Sequence, residues 1–329
     1  MVSIQRARRI LFARTDRLGE TLLNLPAIAA LKQTLPRASL TFLVHPELRS
    51  LMSSFPIIDH VIPYPTVAFR AWWVRARQLG RLLSSHRFDI AVVSNPQKEL
   101  HLAVWLAGIP CRVGYGRKWG WLLTHRLQDR KALGERHEVE YNLDLVRALG
   151  LPTSIPQWPA PRLDHEQTEV LQLLSQEGVK TSEPLIVVHP WTSNPIKQWP
   201  LARFAELIRH LVRQLAIRVV VIGGVDERDQ ASAVLPAGLP VIDLVGRLRL
   251  TQLAALFTHA RVLVSNDSGP VHLAAAVGTK TVVLFGASSP AAGPRRWGPW
   301  GAGHGVIWKP SMEAITVEDV YEAVAHGVG

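Results

Sequence analysis

Short apolar runs alternate along this chain with longer segments in which apolar residues recur at helical spacing. Arg9–Ala13 reads as a first strand, residues 15–19 as a turn containing Gly19, and residues 20–32 as a helix. Strand 40–44, a short helix over 50–55 and a brief strand at Val61 and Ile62 follow. Helix 71–83, strand 89–93, helix 100–106, strand 112–115 and helix 138–149, ended by Gly150, continue the series. Strands alternating with helices in this way predict a parallel sheet covered on both faces, a Rossmann-like α/β domain.

A proline cluster, Pro152, Pro156, Pro159 and Pro161, then interrupts the pattern and reads as a linker. The alternation restarts with helix 166–176, strand Leu185–His189, a polar loop to Trp199, helix 201–215, strand 219–223 and helix 228–234. A strand near Val241, a turn over 245–250 and helix 251–259 lead to the stretch V-L-V-S-N-D-S-G-P-V-H-L-A-A-A-V-G, residues 262–278. A further apolar run, 281–286, and a terminal helix over 318–325 complete the pattern. The expected domains are 1–155 and 156–329, both of parallel α/β type, with the terminal helix free to pack back on the first. Such sheets bind ligands outside the carboxyl ends of their strands, so the pair is expected to leave a central cleft there.

Residues 262–278 form the most informative unit: a buried strand, a polar turn at 266–269, and a helix with Pro270 in its first turn, where a missing N–H costs nothing. Unpaired N–H groups and the helix dipole make such a helix start a docking point for phosphate. Asp267 would be an odd neighbour for phosphate alone, but a useful one for the hydroxyls of a sugar attached to it. The simpler alternative is that Asp267 or Ser268 is an N-cap.

With 329 residues, 47% of them apolar, the chain can bury two cores. Its single cysteine, Cys111, excludes an internal disulfide and a cysteine-based metal cluster and reads as a packing residue. The basic N-terminus is followed by an apolar run, Ile10 to Ala13, that stops at Arg14, too short for a secretory signal. With no run approaching the roughly 20 apolar residues of a membrane span, a cytoplasmic protein is expected. Residues 1–150 carry 22 Lys and Arg against 11 Asp and Glu, whereas residues 151–329 carry 15 against 15. The excess of +11 therefore lies in the first half, which points to an anionic partner there. Segment 71–83 interleaves Arg75, Arg77 and Arg81 with Trp72 and Trp73, a composition suited either to an anionic membrane surface or to a core helix with a solvated face. No nucleic-acid-binding signature accompanies the charge, and no G-x-G-x-x-G follows the first strand, which argues against a nucleic-acid binder and a nicotinamide dehydrogenase.

Four segments together resemble the heptosyltransferases of bacterial lipopolysaccharide synthesis, glycosyltransferase family 9. They are R-T-D-R-L-G-E-T-L-L-N-L-P from Arg14, F-P-I-I-D-H-V-I from Phe55, H-P-W-T-S-N-P-I-K-Q-W-P from His189, and S-N-D-S-G-P-V-H-L-A-A-A-V-G from Ser265. The resemblance covers nearly the whole chain and implies a GT-B architecture of two Rossmann-like domains, an acceptor-binding one followed by a donor-binding one. It implies inverting, metal-independent transfer of heptose from ADP-heptose, with no other cofactor, to an inner-core sugar of lipopolysaccharide. Residue by residue, Lys197 falls on the diphosphate, Thr192 and Ser193 in the phosphate loop, and Asp267 on the donor sugar's hydroxyls. Ser268, Gly269 and His272 belong to the same cradle, and Leu248 falls where an apolar residue meets adenine. Asp226 or Glu227, after strand 219–223, is a candidate for the ribose.

Inversion needs a carboxylate to take the acceptor hydroxyl's proton. The family has Asp where this chain has Glu20, and the added methylene moves the carboxylate. Glu20 is the expected base. Asp16 competes with it, but has an alternative role as ion-pair partner of Arg14 or Arg17. An inner core bearing carboxylates and phosphates would suit the basic first half and its membrane, with Arg14, Arg17, Arg70, Arg117 and Lys118 as candidate contacts. The departure at Glu20 keeps open a nucleotide-sugar-binding protein without activity, and a family member with a different donor sugar.

Overall fold

A computed structural model describes residues 4–65, 71–153, 158–180, 183–215, 217–286 and 289–328. The chain divides into two compact units, Met1–Arg162 and Leu163–Gly329. The boundary expected at 155/156, Pro156 of the linker and Arg70 lie outside the described residues.

In the first unit the strands are β1 (Arg9–Ala13), β2 (Ser39–Val44), β3 (His60–Pro63), β4 (Ile90–Val93), β5 (Cys111–Tyr115) and β6 (His125–Leu127). They form one parallel sheet in the order β3-β2-β1-β4-β5-β6. Its helices are α1 (Leu18–Leu22), α2 (Leu25–Thr34), α3 (Arg49–Ser53), α4 (Trp72–His86), α5 (Lys98–Leu106) and α6 (Glu138–Arg147). The central strands are apolar and buried: Leu11, Phe12, Ala13, Val92 and Val93 have no exposed surface. Helices α4 and α5 cover one face through Leu79, Leu83, Leu100, Ala103 and Val104. They approach closely at Gly80, where an added Cβ would lie 3.0 Å from the Cβ of Leu106.

The single helix expected over 20–32 is two. Pro26 has no N–H to give to the carbonyl four residues back, so the helix stops after Leu22 and restarts with Pro26 in the first turn of α2.

The second unit repeats the topology. Strands β7 (Leu185–His189), β8 (Arg218–Val221), β9 (Val241–Asp243), β10 (Ala260–Asn266), β11 (Lys280–Phe285) and β12 (Gly305–Trp308) pair in parallel as β12-β11-β10-β7-β8-β9. Helices α7 (Asp164–Gln176), α8 (Leu201–Gln214), α9 (Leu250–His259), α10 (Gly269–Ala276), α11 (Pro294–Trp297) and α12 (Val317–Val328) connect and cover them. The terminal helix α12, for which the sequence allows a place on the first domain, seats on α8 and on β10, β11 and β12 of its own unit. Val320 and Val324 enter that core with Trp199, Phe204 and Leu211. The α-helix expected over 228–234 is a 3₁₀ segment, Val225–Ala233, whose start is set by the Glu227 carboxylate accepting the Gly224 N–H at 2.6 Å.

Each sheet reverses its strand order once, between β1 and β4 in the first unit and between β7 and β10 in the second. Open parallel sheets bind ligands at such switch points, outside the carboxyl ends of the strands. Asp16 and Glu20 follow β1, and Lys197, Asp267 and Ser268 lie after β7 and β10, beside these two places.

Candidate active site

The second switch point is built by the loops after β7 and β10. The side chain of Asn266, at the end of β10, accepts the Trp199 N–H at 3.0 Å and donates to the Pro190 carbonyl at 2.6 Å. Gln198 donates to the same carbonyl at 2.6 Å. The loop from Pro190 to Trp199 is thereby tied at both ends, and buried Trp199 anchors it by donating its indole N–H to the Ile315 carbonyl at 3.0 Å. Asn194 caps the short 3₁₀ turn Pro195–Lys197 by accepting the Ile196 N–H at 3.2 Å. This framework carries Lys197 to Asp267, where the ammonium donates to the carboxylate. Thr192 lies beside the pair, its hydroxyl 3.5 Å from the Asp267 carbonyl, and Ser193 is exposed on the same loop. Burial pushes the Asp267 carboxyl up from its ordinary range, opposed by the charge of Lys197.

Ser268 occupies the N-cap position of α10, but its side chain makes no cap hydrogen bond. Its hydroxyl turns instead to the Ser265 hydroxyl at 2.9 Å and to Nδ1 of His189 at 3.2 Å, and Ser265 lies 3.1 Å from the same nitrogen. Burial lowers the His189 pKa to about 4, so a neutral imidazole orients both hydroxyls at neutral pH. Neither Asp267, engaged by Lys197, nor Ser268 therefore spends its side chain capping α10. Gly269 and Pro270 open that turn, and His272 is buried in it.

Asp226 and Glu227 follow the end of β8. Glu227, half-buried, is engaged by the Gly224 N–H, whereas Asp226 is exposed. Leu248 follows β9 and is half-buried.

In the first unit the chain leaves β1 through buried Arg14. Its guanidinium donates to Asp16 at 2.6 Å and lies 3.7 Å from Glu138. Asp16 thus makes the ion pair that its sequence position suggested. Arg14, named among contacts for an acceptor, is taken up by these internal carboxylates. Arg17 is exposed. Glu20 sits in the first turn of α1, half-buried. Burial, aided by the nearby charge of Asp16, pushes its carboxyl up, against the opposing pull of its own backbone N–H and of Arg14 and Arg17. Just past the end of the neighbouring strand β4, buried Asn95 donates to the Thr15 hydroxyl at 3.4 Å.

Beyond the place of Asn266 in a polar turn, sequence reasoning gave no role to His189, Ser265, Asn266 or Asn95. The first three stand inside the segments that carried the resemblance, but polar residues at strand ends reveal their partners only once the two strands are paired. Among the described residues no cluster of three or more His, Cys, Asp or Glu is arranged to hold a metal ion, and no helix is long and apolar enough to cross a membrane.

The sequence profile of glycosyltransferase family 9 (heptosyltransferase) matches residues 76–323. A Haemophilus influenzae protein named only as a glycosyltransferase is 30% identical over 88% of this chain and 86% of its own length. Lipopolysaccharide heptosyltransferase 2 of Escherichia coli is 28% identical over 86% of this chain and 84% of its own. The structure of E. coli ADP-heptose lipopolysaccharide heptosyltransferase II superposes with a TM-score of 0.82 at 24% identity, covering 98% of each chain. The two Rossmann-like units form the GT-B architecture, and the chain is a glycosyltransferase that belongs to family 9, the heptosyltransferase family.

Proposed function

We propose that the protein transfers heptose, with inversion and without a metal, from ADP-heptose to an inner-core sugar of lipopolysaccharide at the cytoplasmic membrane face. The observation that carries the donor assignment is an order. Across the sheet from β9 through β8 and β7 to β10, the strand-end loops present Leu248, then Asp226 and Glu227, then Thr192, Ser193 and Lys197, then Asp267 and Ser268. A nucleotide sugar has the same linear order of base, ribose, diphosphate and sugar. Three strand spacings, about 14 Å, also suit its length. The name of one solved relative, an ADP-heptose heptosyltransferase, supports adenine and heptose as its ends.

The chemistry then follows from charge. As the bond from the anomeric carbon to the diphosphate breaks, its electron pair leaves with ADP. The growing negative charge is met by Lys197, by the hydroxyls of Thr192, Ser193 and Ser268, and by the N–H groups opening α10 at Gly269. Buried His272 belongs to the same cradle, and Asp267 takes the sugar's hydroxyls. In the first unit the Glu20 carboxylate accepts the proton of the acceptor hydroxyl as its oxygen bonds the anomeric carbon from the opposite face. The basic first half, and the exposed arginines of α4 in particular, supports recognition of an anionic acceptor at an anionic membrane surface.

The test is transfer from ADP-heptose to deacylated core oligosaccharide. Glu20→Ala is expected to abolish product while retaining binding of ADP-heptose, and wild-type turnover in that variant overturns Glu20 as the base. A donor screen addresses the second reading, a different donor sugar. That reading is favoured by the relative named only as a glycosyltransferase.

A further inference from the structure

The tryptophans of the first unit are not explained by its core. Trp73 is 56% exposed, Trp121 67% and Trp119 39%. Trp72, Trp119 and Trp121 form a continuous line: Trp72 meets Trp119 edge to face with centroids 5.1 Å apart, and Trp119 is 5.9 Å from Trp121. Lys98 extends the line, its ammonium 4.3 Å from the centre of the Trp72 ring. All four belong to segments at the carboxyl edge of the sheet. Lys98 opens α5 after β4, Trp119 and Trp121 follow β5, and Trp72 opens α4 after β3.

The loop bearing Trp119 is held in an unfavourable conformation. Lys118 and Trp119 have φ of 44° and 70°, a left-handed pair without glycine. Buried His101 secures it by donating its Nδ1 proton to the Lys118 carbonyl at 2.9 Å. Such strain persists where surrounding structure imposes it, and here its effect is to hold an indole and an ammonium outward.

The electrostatic setting is one-sided. Between His60 and Gln128 ten Lys and Arg stand against two carboxylates, Asp89 and Glu99. Both are engaged inside the fold, Asp89 by the N–H groups of Arg8 and Arg9, Glu99 by Arg75 and Tyr64. Among the described residues no carboxylate pairs with Lys98 or Lys118. We infer that Trp72, Trp119 and Trp121, with Lys98 and Lys118, form a binding platform for an acidic oligosaccharide, the part of the acceptor beyond the reacting sugar. An indole face carries negative potential and takes the C–H face of a pyranose, while the flanking ammonium groups meet its carboxylate or phosphate substituents. The strand order supports this extent: β5 lies two places from β1, about 10 Å away, the reach of a short oligosaccharide rather than of one sugar.

The inference rests on the reading of the first unit as the acceptor domain, so binding is measured separately from transfer. Deacylated anionic core oligosaccharide is titrated into the protein without donor, following tryptophan fluorescence and heat. Trp119→Ala and Trp121→Ala are each expected to weaken binding about tenfold, the scale of one lost stacking contact. Trp119→Phe should recover most of it. In the transfer assay the same substitutions should raise KM for the acceptor and leave KM for ADP-heptose unchanged. Trp121, the most exposed of the three, can be replaced without cost to folding, which keeps the test interpretable if Trp119→Ala misfolds. Unchanged oligosaccharide affinity in Trp121→Ala overturns the platform. Loss confined to sedimentation with anionic phospholipid vesicles also overturns it, in favour of a lipid surface. Saccharide binding without heptose transfer would overturn the proposed reaction while leaving the platform intact.

Discussion

As the proposed base, Glu20 can act only when ionised, and burial disfavours that form. Activity should therefore fall, as the pH is lowered, at a higher pH than an ordinary glutamate near 4.5 would dictate, seen as the acid limb of kcat/KM for the acceptor. The same shift links to stability with the opposite sign. A carboxyl raised in the fold contributes stability below its ordinary pKa and loses it as the pH rises through the raised one. Glu20→Gln should accordingly be inactive yet resist urea better than wild type at pH 8, the two converging near pH 4. An unchanged urea midpoint at pH 8 would remove the burial argument. Lys197 and Asp267 invite a different test, because each is both a partner and a functional group. Lys197→Met strands a buried carboxylate and should cost about 1–3 kcal/mol in urea unfolding, together with roughly 10²–10³-fold in turnover. Adding Asp267→Asn should recover much of the stability and none of the turnover. Recovery of both would make the pair structural. The types of these residues were legible from their motifs. Their pairing was not, since nothing in a sequence says that a turn aspartate will face a lysine 70 positions away rather than cap its own helix.

At the scale of elements, the strands most buried on both faces were the most legible. β1 and β7 lie where the apolar runs put them, because a strand covered on both sides must be apolar throughout. The edge strands β6 and β12 were missed because each is only half-covered, and β6, at three residues, is too short to leave a run. The break between α1 and α2 was written in Pro26, and the 3₁₀ segment after β8 in Gly224 and Glu227, but both signals concern single backbone N–H groups that an apolar periodicity does not register. Asn266 shows the same limit with a functional consequence. Its amide joins the end of β10 to the loop that carries Lys197, so the loop's position depends on one side chain in another element. Asn266→Ala removes two buried hydrogen bonds and should lower stability by about 2–3 kcal/mol. It should also raise KM for ADP-heptose, because the loop that carries Lys197 then loses its tie to β10. A stable variant with unchanged donor KM would show that Trp199 alone holds the loop.

For the molecule as a whole, the distribution of charge decides more than its total. The second half is neutral by count, so in the proposed reaction the donor's diphosphate would be met by local groups, Lys197 and the start of α10, rather than by a diffuse field. The first half carries the whole excess of +11, much of it on exposed side chains such as Arg77, Arg81 and Lys118. Fields of that kind act over a Debye length, about 10 Å at 0.1 M salt and about 3 Å at 1 M, whereas a lysine touching a phosphate is screened far less. The two substrates should therefore respond to salt differently. Raising NaCl from about 0.05 to 0.5 M is expected to lower kcat/KM for an anionic core acceptor by roughly tenfold, with a shallower fall for ADP-heptose. Replacing Arg77 and Arg81 together by glutamine should reduce the acceptor's salt slope and leave the donor's unaltered, since both lie on the exposed side of α4. Equal slopes for the two substrates would mean that the basic half serves solubility rather than capture, and the acceptor would then have to be recognised through contact groups alone.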